Sequence, residues 1–128
     1  MTHDAGARSS EPWARVLAAR LAAVHQQWAA LLAAIEETRE ARSLMFADDE
    51  HDPDGSTASL DQARDVALLT RADQTLAELA AAEQRLAAGT YGVCERCGGP
   101  IAVERLQARP ETRVCVACAS VASRRRAS

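Results

Sequence analysis

The sequence predicts an all-α-dominated chain. A long antiparallel coiled-coil hairpin comes first, then a small C-terminal module built on four cysteines, then a short terminal helix. Three observations predict this. Apolar residues make up 48% of the 128 residues, yet 29 residues are Ala and aromatics are only 3%. Ala is the best helix former and supplies little bulk for a wide globular core. Apolar positions recur in alternating steps of four and three, the spacing of a coiled-coil seam. All four Cys stand as two CxxC pairs near the C-terminus.

Residues 1–10 are small and polar and are expected to be flexible. Ser9 or Ser10 suits an N-cap, with Glu11 and Pro12 in the first turn. The hairpin is expected over 11–89. Its first seam is Leu17, Leu21, Val24, Trp28, Leu31, Ile35, Thr38, Arg42 and Met45. The seam turns polar at Thr38 and Arg42, so packing loosens toward that end. Residues 46–57 then hold Pro53, Gly55 and a run of Asp and Ser, which favour a turn. Ser59 with Gln62 reads as a capping box for the second helix, with Ser56 or Thr57 as alternatives. The second seam is Leu69, Ala72, Leu76, Leu79, Glu83 and Leu86, and Gly89 follows as a C-terminal cap. Two helices of about 30 residues make a hairpin roughly 45–50 Å long. Such a pair buries few apolar atoms and calls for a staple at its base.

The formal charge is −3, from 15 basic and 18 acidic residues, and every basic residue is Arg. That balance argues weakly against general adhesion to nucleic acid or anionic membranes. No apolar run approaches the ~20 residues of a membrane span. Met1–Ser10 lacks the basic and apolar parts of a signal peptide. A cytoplasmic location is expected, where disulfides are disfavoured.

Cys94-Glu95-Arg96-Cys97 and Cys115-Val116-Ala117-Cys118 are separated by 17 residues. This is the spacing class of four-cysteine metal sites. A two-residue gap lets both sulfurs of a knuckle point at one ion, and the insert returns the second pair to complete a tetrahedron. Gly98-Gly99-Pro100 supplies the turn. One structural zinc is the leading reading, with iron as the alternative four-thiolate metal. A disulfide pair and a redox CxxC are weakened by the cytoplasmic expectation and by the lack of a βαβ pattern. Four thiolates leave no open position for a catalytic water, so the ion folds the segment. They also bring the holo charge from −3 to about −5. Arg96, Arg105, Arg109 and Arg113 can offset that charge or stand as solvated surface. The finger is expected over 90–121, with a helix from Val116 to Arg126 leaving the second knuckle. The basic tail 122–128 carries Arg124, Arg125 and Arg126, a contact for phosphate or an acidic protein face, or a solvated helix end.

Ala88-Gly89-Thr90-Tyr91-Gly92-Val93-Cys94-Glu95-Arg96-Cys97-Gly98 resembles the start of the DksA/TraR zinc finger. Glu104-Arg105-Leu106-Gln107-Ala108-Arg109-Pro110, followed by Cys115-Val116-Ala117-Cys118, resembles its second half. The hairpin and acidic turn are similar to the same architecture more loosely. The resemblance implies a bacterial transcription regulator. Such a protein binds RNA polymerase through the secondary channel, bringing an acidic coiled-coil tip toward the catalytic centre. It implies Cys94, Cys97, Cys115 and Cys118 as zinc ligands and Asp48, Asp49, Glu50, Asp52 and Asp54 as the tip. Asp49 and Asp52 have the family's separation, whereas Asp54 stands where its best-known members carry Ala. By the residues alone, five acids at one end of a rod suit a channel with Mg²⁺ or basic walls, or form a solvated turn.

Two other functions compete. A DNA-binding zinc finger wants a basic recognition helix, and the only dense basic run is the terminal Arg triplet. A thiol switch, releasing zinc on oxidation, is compatible with the polymerase reading. No Ser/His/Asp or Cys/His arrangement, phosphate loop or HExxH supports an enzyme. A monomer is expected, without sequence-specific DNA binding.

Overall fold

The computed structural model describes the backbone of residues 2–48 and 55–127, and the side chains of 10–44 and 59–125. Four helices follow in order: α1 (Thr2–Asp48), α2 (Gly55–Ala88), α3 (Val103–Ala108) and α4 (Val116–Ala127). Among the described residues the only extended pairing is an isolated antiparallel bridge between Val93 and Pro100. The chain divides into two compact units, 1–22 with 77–128, and 23–76.

Both long helices start earlier than their capping signals predict. α1 begins at Thr2, so Ser9 and Ser10 lie inside it and residues 2–10 are helical. Ala5, Ala7 and Arg8 favour the helix, and serine does not stop a helix already begun. Pro12 then sits within α1, where its missing N–H removes one i→i−4 bond. α2 begins at Gly55, so Ser59 and Gln62 are not its cap. Three residues apart, they share one face of α2, and both accept hydrogen bonds from Arg42 of α1. Of the turn expected at 46–57, residues 46–48 belong to α1 and 55–57 to α2, and residues 49–54 lie outside the described residues.

In the unit formed by 23–76, Val24, Ile35 and Ala72 are buried. Trp28, Leu31, Thr38 and Arg42 of the first seam are half-buried, as are Leu69 and Leu76 of the second. Trp28 Nε1 donates to Asp73 Oδ1 at 2.7 Å and Arg42 donates to Gln62 Oε1 at 2.7 Å, which makes the pair antiparallel. Thr38 turns its hydroxyl back to the Ala34 carbonyl at 2.9 Å, so a polar seam position is satisfied within its own helix.

In the other unit, Leu17, Leu79 and Ala82 are fully buried. Glu83, placed in the seam by the heptad count, is exposed instead. A straight α-helix repeats every 3.6 residues, so a strict heptad drifts around it. The buried position falls on Ala82, whose methyl permits close approach while the Glu83 carboxylate stays in water. α2 ends as the glycine signal predicts. Gly89 has φ of +80°, its N–H bonds the Leu86 carbonyl and that of Thr90 bonds the Arg85 carbonyl. This is a Schellman cap.

Candidate metal centre

Each knuckle is shaped by backbone hydrogen bonds. Gly98 N–H donates to the Cys94 carbonyl at 2.9 Å and Cys94 N–H to the Gly99 carbonyl at 2.8 Å, closing a tight loop. Gly98 sits at φ +73°, a conformation that side chains rarely adopt. Gly99 N–H points at Cys97 Sγ, at 3.4 Å. The second knuckle opens α4, where Ala119 N–H bonds the Cys115 carbonyl at 2.9 Å. Glu95 N–H donates to the Arg113 carbonyl at 2.9 Å, tying the two knuckles together. Ile101 N–H bonds the Gly92 carbonyl beside the Val93–Pro100 bridge.

The four sulfurs of Cys94, Cys97, Cys115 and Cys118 all lie within 4.8 Å of one another. The Sγ atoms of Cys97 and Cys115 are 3.8 Å apart. A tetrahedron with zinc–sulfur bonds of about 2.3 Å has edges of about 3.8 Å, so the donor set and its size fit zinc. None of the four is in a disulfide. Cys94 is buried and Cys97 exposed. The Cys94 thiol is lowered to about 6, first by the backbone at Cys97 and then at Cys115. The Cys118 thiol is pushed up to about 12, first by its hydrogen bond with Cys115 and then by burial. Metal binding must displace such protons, so affinity falls as the medium becomes acidic.

Cys94, Ile101 and Leu106 form the finger's buried core, with Trp13, Tyr91, Val114, Cys115 and Cys118 packed against it. α3 supplies Leu106, and nothing in the 98–114 insert had marked this helix. Trp13 of α1 and Tyr91 have ring centroids 5.7 Å apart at 49°, a tilted aromatic pair. Tyr91 Oη donates to the Pro110 carbonyl at 2.8 Å. Arg85 reaches the Thr112 carbonyl at 3.4 Å. Glu111 is 2% exposed, with Arg20 Nε 3.7 Å from one oxygen and Arg109 Nε 3.8 Å from the other. Its Oε1 makes no hydrogen bond. A buried carboxylate is tolerable only beside compensating charge, and here both arginines provide it. Sequence reasoning missed Glu111, because an acid in a loop is ordinarily solvated.

The arginines expected to offset the thiolates divide in two. Arg105 Nε is committed to the Val114 carbonyl at 2.9 Å, just before Cys115, and Arg109 to Glu111. Arg96 and Arg113 are exposed. Asp49, Glu50, Asp52 and Asp54 of the expected tip lie outside the described residues, and of Asp48 only the backbone, ending α1, lies inside. The helix expected from Val116 to Arg126 is α4, and Arg124 and Arg125 lie within it.

Tyr91 is the only tyrosine, and burial above all pushes its hydroxyl up to about 12. Arg85 opposes that shift and Glu111 adds to it. A raised acid favours the neutral form in the folded state. Its stabilising share is therefore complete below pH 10 and is lost as pH rises through 12. Alkaline titration at 295 nm is expected to show a midpoint well above the ordinary value of 10. A midpoint at 10 in the folded protein contradicts this packing.

Residues 89–124 match the prokaryotic dksA/traR C4-type zinc finger family. The chain is 48% identical over 50 residues to an uncharacterized protein of Aquifex aeolicus (strain VF5), covering 39% of this chain and 34% of that one. It is 37% identical over 79 residues to general stress protein 16O of Bacillus subtilis (strain 168), covering 62% and 48%. The matches thus span less than half the length of these curated relatives. The structure of transcription factor DksA2 from Pseudomonas aeruginosa superposes with a TM-score of 0.53 and 26% identity, over 89% of this chain and 88% of that one. No helix among the described residues is long and apolar enough to cross a membrane. With the finger match, the likeness to DksA2 and the four-sulfur cluster agreeing, residues 89–124 form a dksA/traR C4-type zinc finger with one structural zinc, carried on helices that resemble those of DksA2.

Proposed function

We propose that the chain is a cytoplasmic, monomeric transcription regulator that binds RNA polymerase through its secondary channel and is not itself an enzyme. Cys94, Cys97, Cys115 and Cys118 hold the zinc. The acids Asp48, Asp49, Glu50, Asp52 and Asp54 are the part that acts inside the partner. The observation that carries this reading is the likeness to transcription factor DksA2 along nearly the whole chain. That likeness joins two elements: an antiparallel helical pair, with five acids in the sequence at 48–54, and a four-thiol cluster. A fully coordinated ion performs no chemistry, so the zinc keeps the finger folded. The acids would meet Mg²⁺ or basic walls supplied by the partner.

Recovery of core RNA polymerase by the immobilised, zinc-loaded chain tests this, with Asp49→Asn/Asp52→Asn alongside. Wild type is expected to retain polymerase and to change transcription from a promoter in vitro. The double variant is expected to lose at least tenfold of that effect. Negligible recovery by both removes the reading. Equal recovery with the effect confined to wild type assigns the acids to the action and not to the binding.

A further inference from the structure

The polar contacts within residues 23–76 share one register. Trp28 and Arg42 are fourteen residues apart on α1, and their partners Asp73 and Ser59 are fourteen apart on α2. Fourteen residues are two heptads, so both contacts repeat one coiled-coil position. Val24, Trp28, Leu31 and Ile35 of α1, with Leu69, Ala72 and Leu76 of α2, supply apolar side chains that specify the register in one half of this unit. Toward residues 38–44 and 59–66 that apolar information fades. Beyond Ile35 the described part of the first seam offers Thr38 and Arg42. Leu44 and Leu60 are 71% and 72% exposed and bury nothing between the helices. Arg42 stands where a core residue would. Its guanidinium donates to Gln62 Oε1 at 2.7 Å through one nitrogen and to Ser59 Oγ through the other. A planar fork that must meet two acceptors three residues apart on α2 is satisfied in one register only. Polar groups at seam positions are known to fix register in coiled coils at some cost in stability.

We propose that Arg42 is a positioning residue: its fork on Ser59 and Gln62 holds in register the helix ends that bracket residues 49–54, and the acidic turn's action on polymerase requires that register. The second half of this inference rests on the polymerase reading above; the first half does not. The test uses the full, zinc-loaded chain. Arg42→Met removes the fork, Arg42→Lys keeps the charge without the fork, and Gln62→Glu keeps an acceptor. Hydrogen exchange by mass spectrometry is the first readout. In both Arg42 variants, peptides from 38–48 and 55–66 are expected to exchange at least tenfold faster. Peptides from 79–88 and 90–118 stay within twofold of wild type. Gln62→Glu is expected to exchange no faster than wild type. The second readout is transcription, where both Arg42 variants lose at least fivefold of the wild-type effect, Gln62→Glu keeps it, and polymerase recovery stays within twofold. Unchanged exchange in Arg42→Lys overturns the register role, and this variant decides the matter if Arg42→Met fails to fold. Faster exchange with an undiminished transcription effect overturns the requirement. A wild type without any effect on polymerase sinks the proposed function instead, while exchange still decides the role of Arg42.

Discussion

Cys115→Ser is expected to abolish stoichiometric zinc and to unfold the finger, while the helical pair at 23–76 keeps its helicity. The finger's own core is Cys94, Ile101 and Leu106. Three residues cannot offset the conformational entropy of about 30. Structural zinc supplies an apparent binding energy of about 10–16 kcal/mol in finger peptides near pH 7. The stability of a whole domain is only about 5–15 kcal/mol, so the finger cannot survive the loss. Serine keeps the shape of the side chain, but its hydroxyl is not ionised and does not replace a thiolate as ligand. Metal analysis should fall from one zinc per chain to near none. Far-UV circular dichroism should lose the share of α3 and α4, and exchange protection at Ile101 and Leu106 should vanish. Trp13 fluorescence should shift to the red, because its neighbour Tyr91 belongs to the finger. A zinc-free variant that still protects Ile101 would show that packing holds this segment and that the metal is incidental.

The cysteine site was legible in the sequence because a two-residue spacing translates almost directly into geometry. The alternating seam was legible because side-chain volume sets burial: Leu17, Val24, Ile35, Ala72 and Leu79 are all buried as the period demands. Gly89 was legible because a left-handed cap is a conformation that few other residues reach easily. The capping serines misled for a related reason. A cap is one hydrogen bond, and a helix that can lengthen on alanine or pair with a neighbour makes other bonds in its stead. Ser59 and Gln62 carried a real signal, three residues apart on one face, but the partner is Arg42 rather than the backbone. α3 is six residues long, too short for a period to show. Glu111 was invisible for a different reason. Its burial depends on Arg20, far away in sequence and brought near only by the fold. Long-range charge pairs leave no local pattern, whereas knuckles and seams do.

The same logic separates two readings of α2 that differ by one residue. The heptad count puts Glu83 between the helices, whereas the structure buries Ala82 and exposes Glu83. Leu79 is fully buried in both readings, so Leu79→Ala sets the scale. It is expected to cost about 2–5 kcal/mol through lost transfer energy and the cavity left behind, and to lower Tm by roughly 10 °C. If Glu83 faced the partner helix, Glu83→Leu would remove a poorly placed charge and raise Tm. With the carboxylate in water, Glu83→Leu is expected to stay within about 0.5 kcal/mol of wild type. Ala82→Leu discriminates from the other side, because a leucine forced between helices that meet across a methyl costs about 1–3 kcal/mol. Thermal melts of the three zinc-loaded variants read all of this at once. A stabilised Glu83→Leu beside a neutral Ala82→Leu would return the seam to the strict heptad. The reverse order means that α2 buries Ala82 beside Leu79 and leaves Glu83 in water, with no room at Ala82 for a larger side chain.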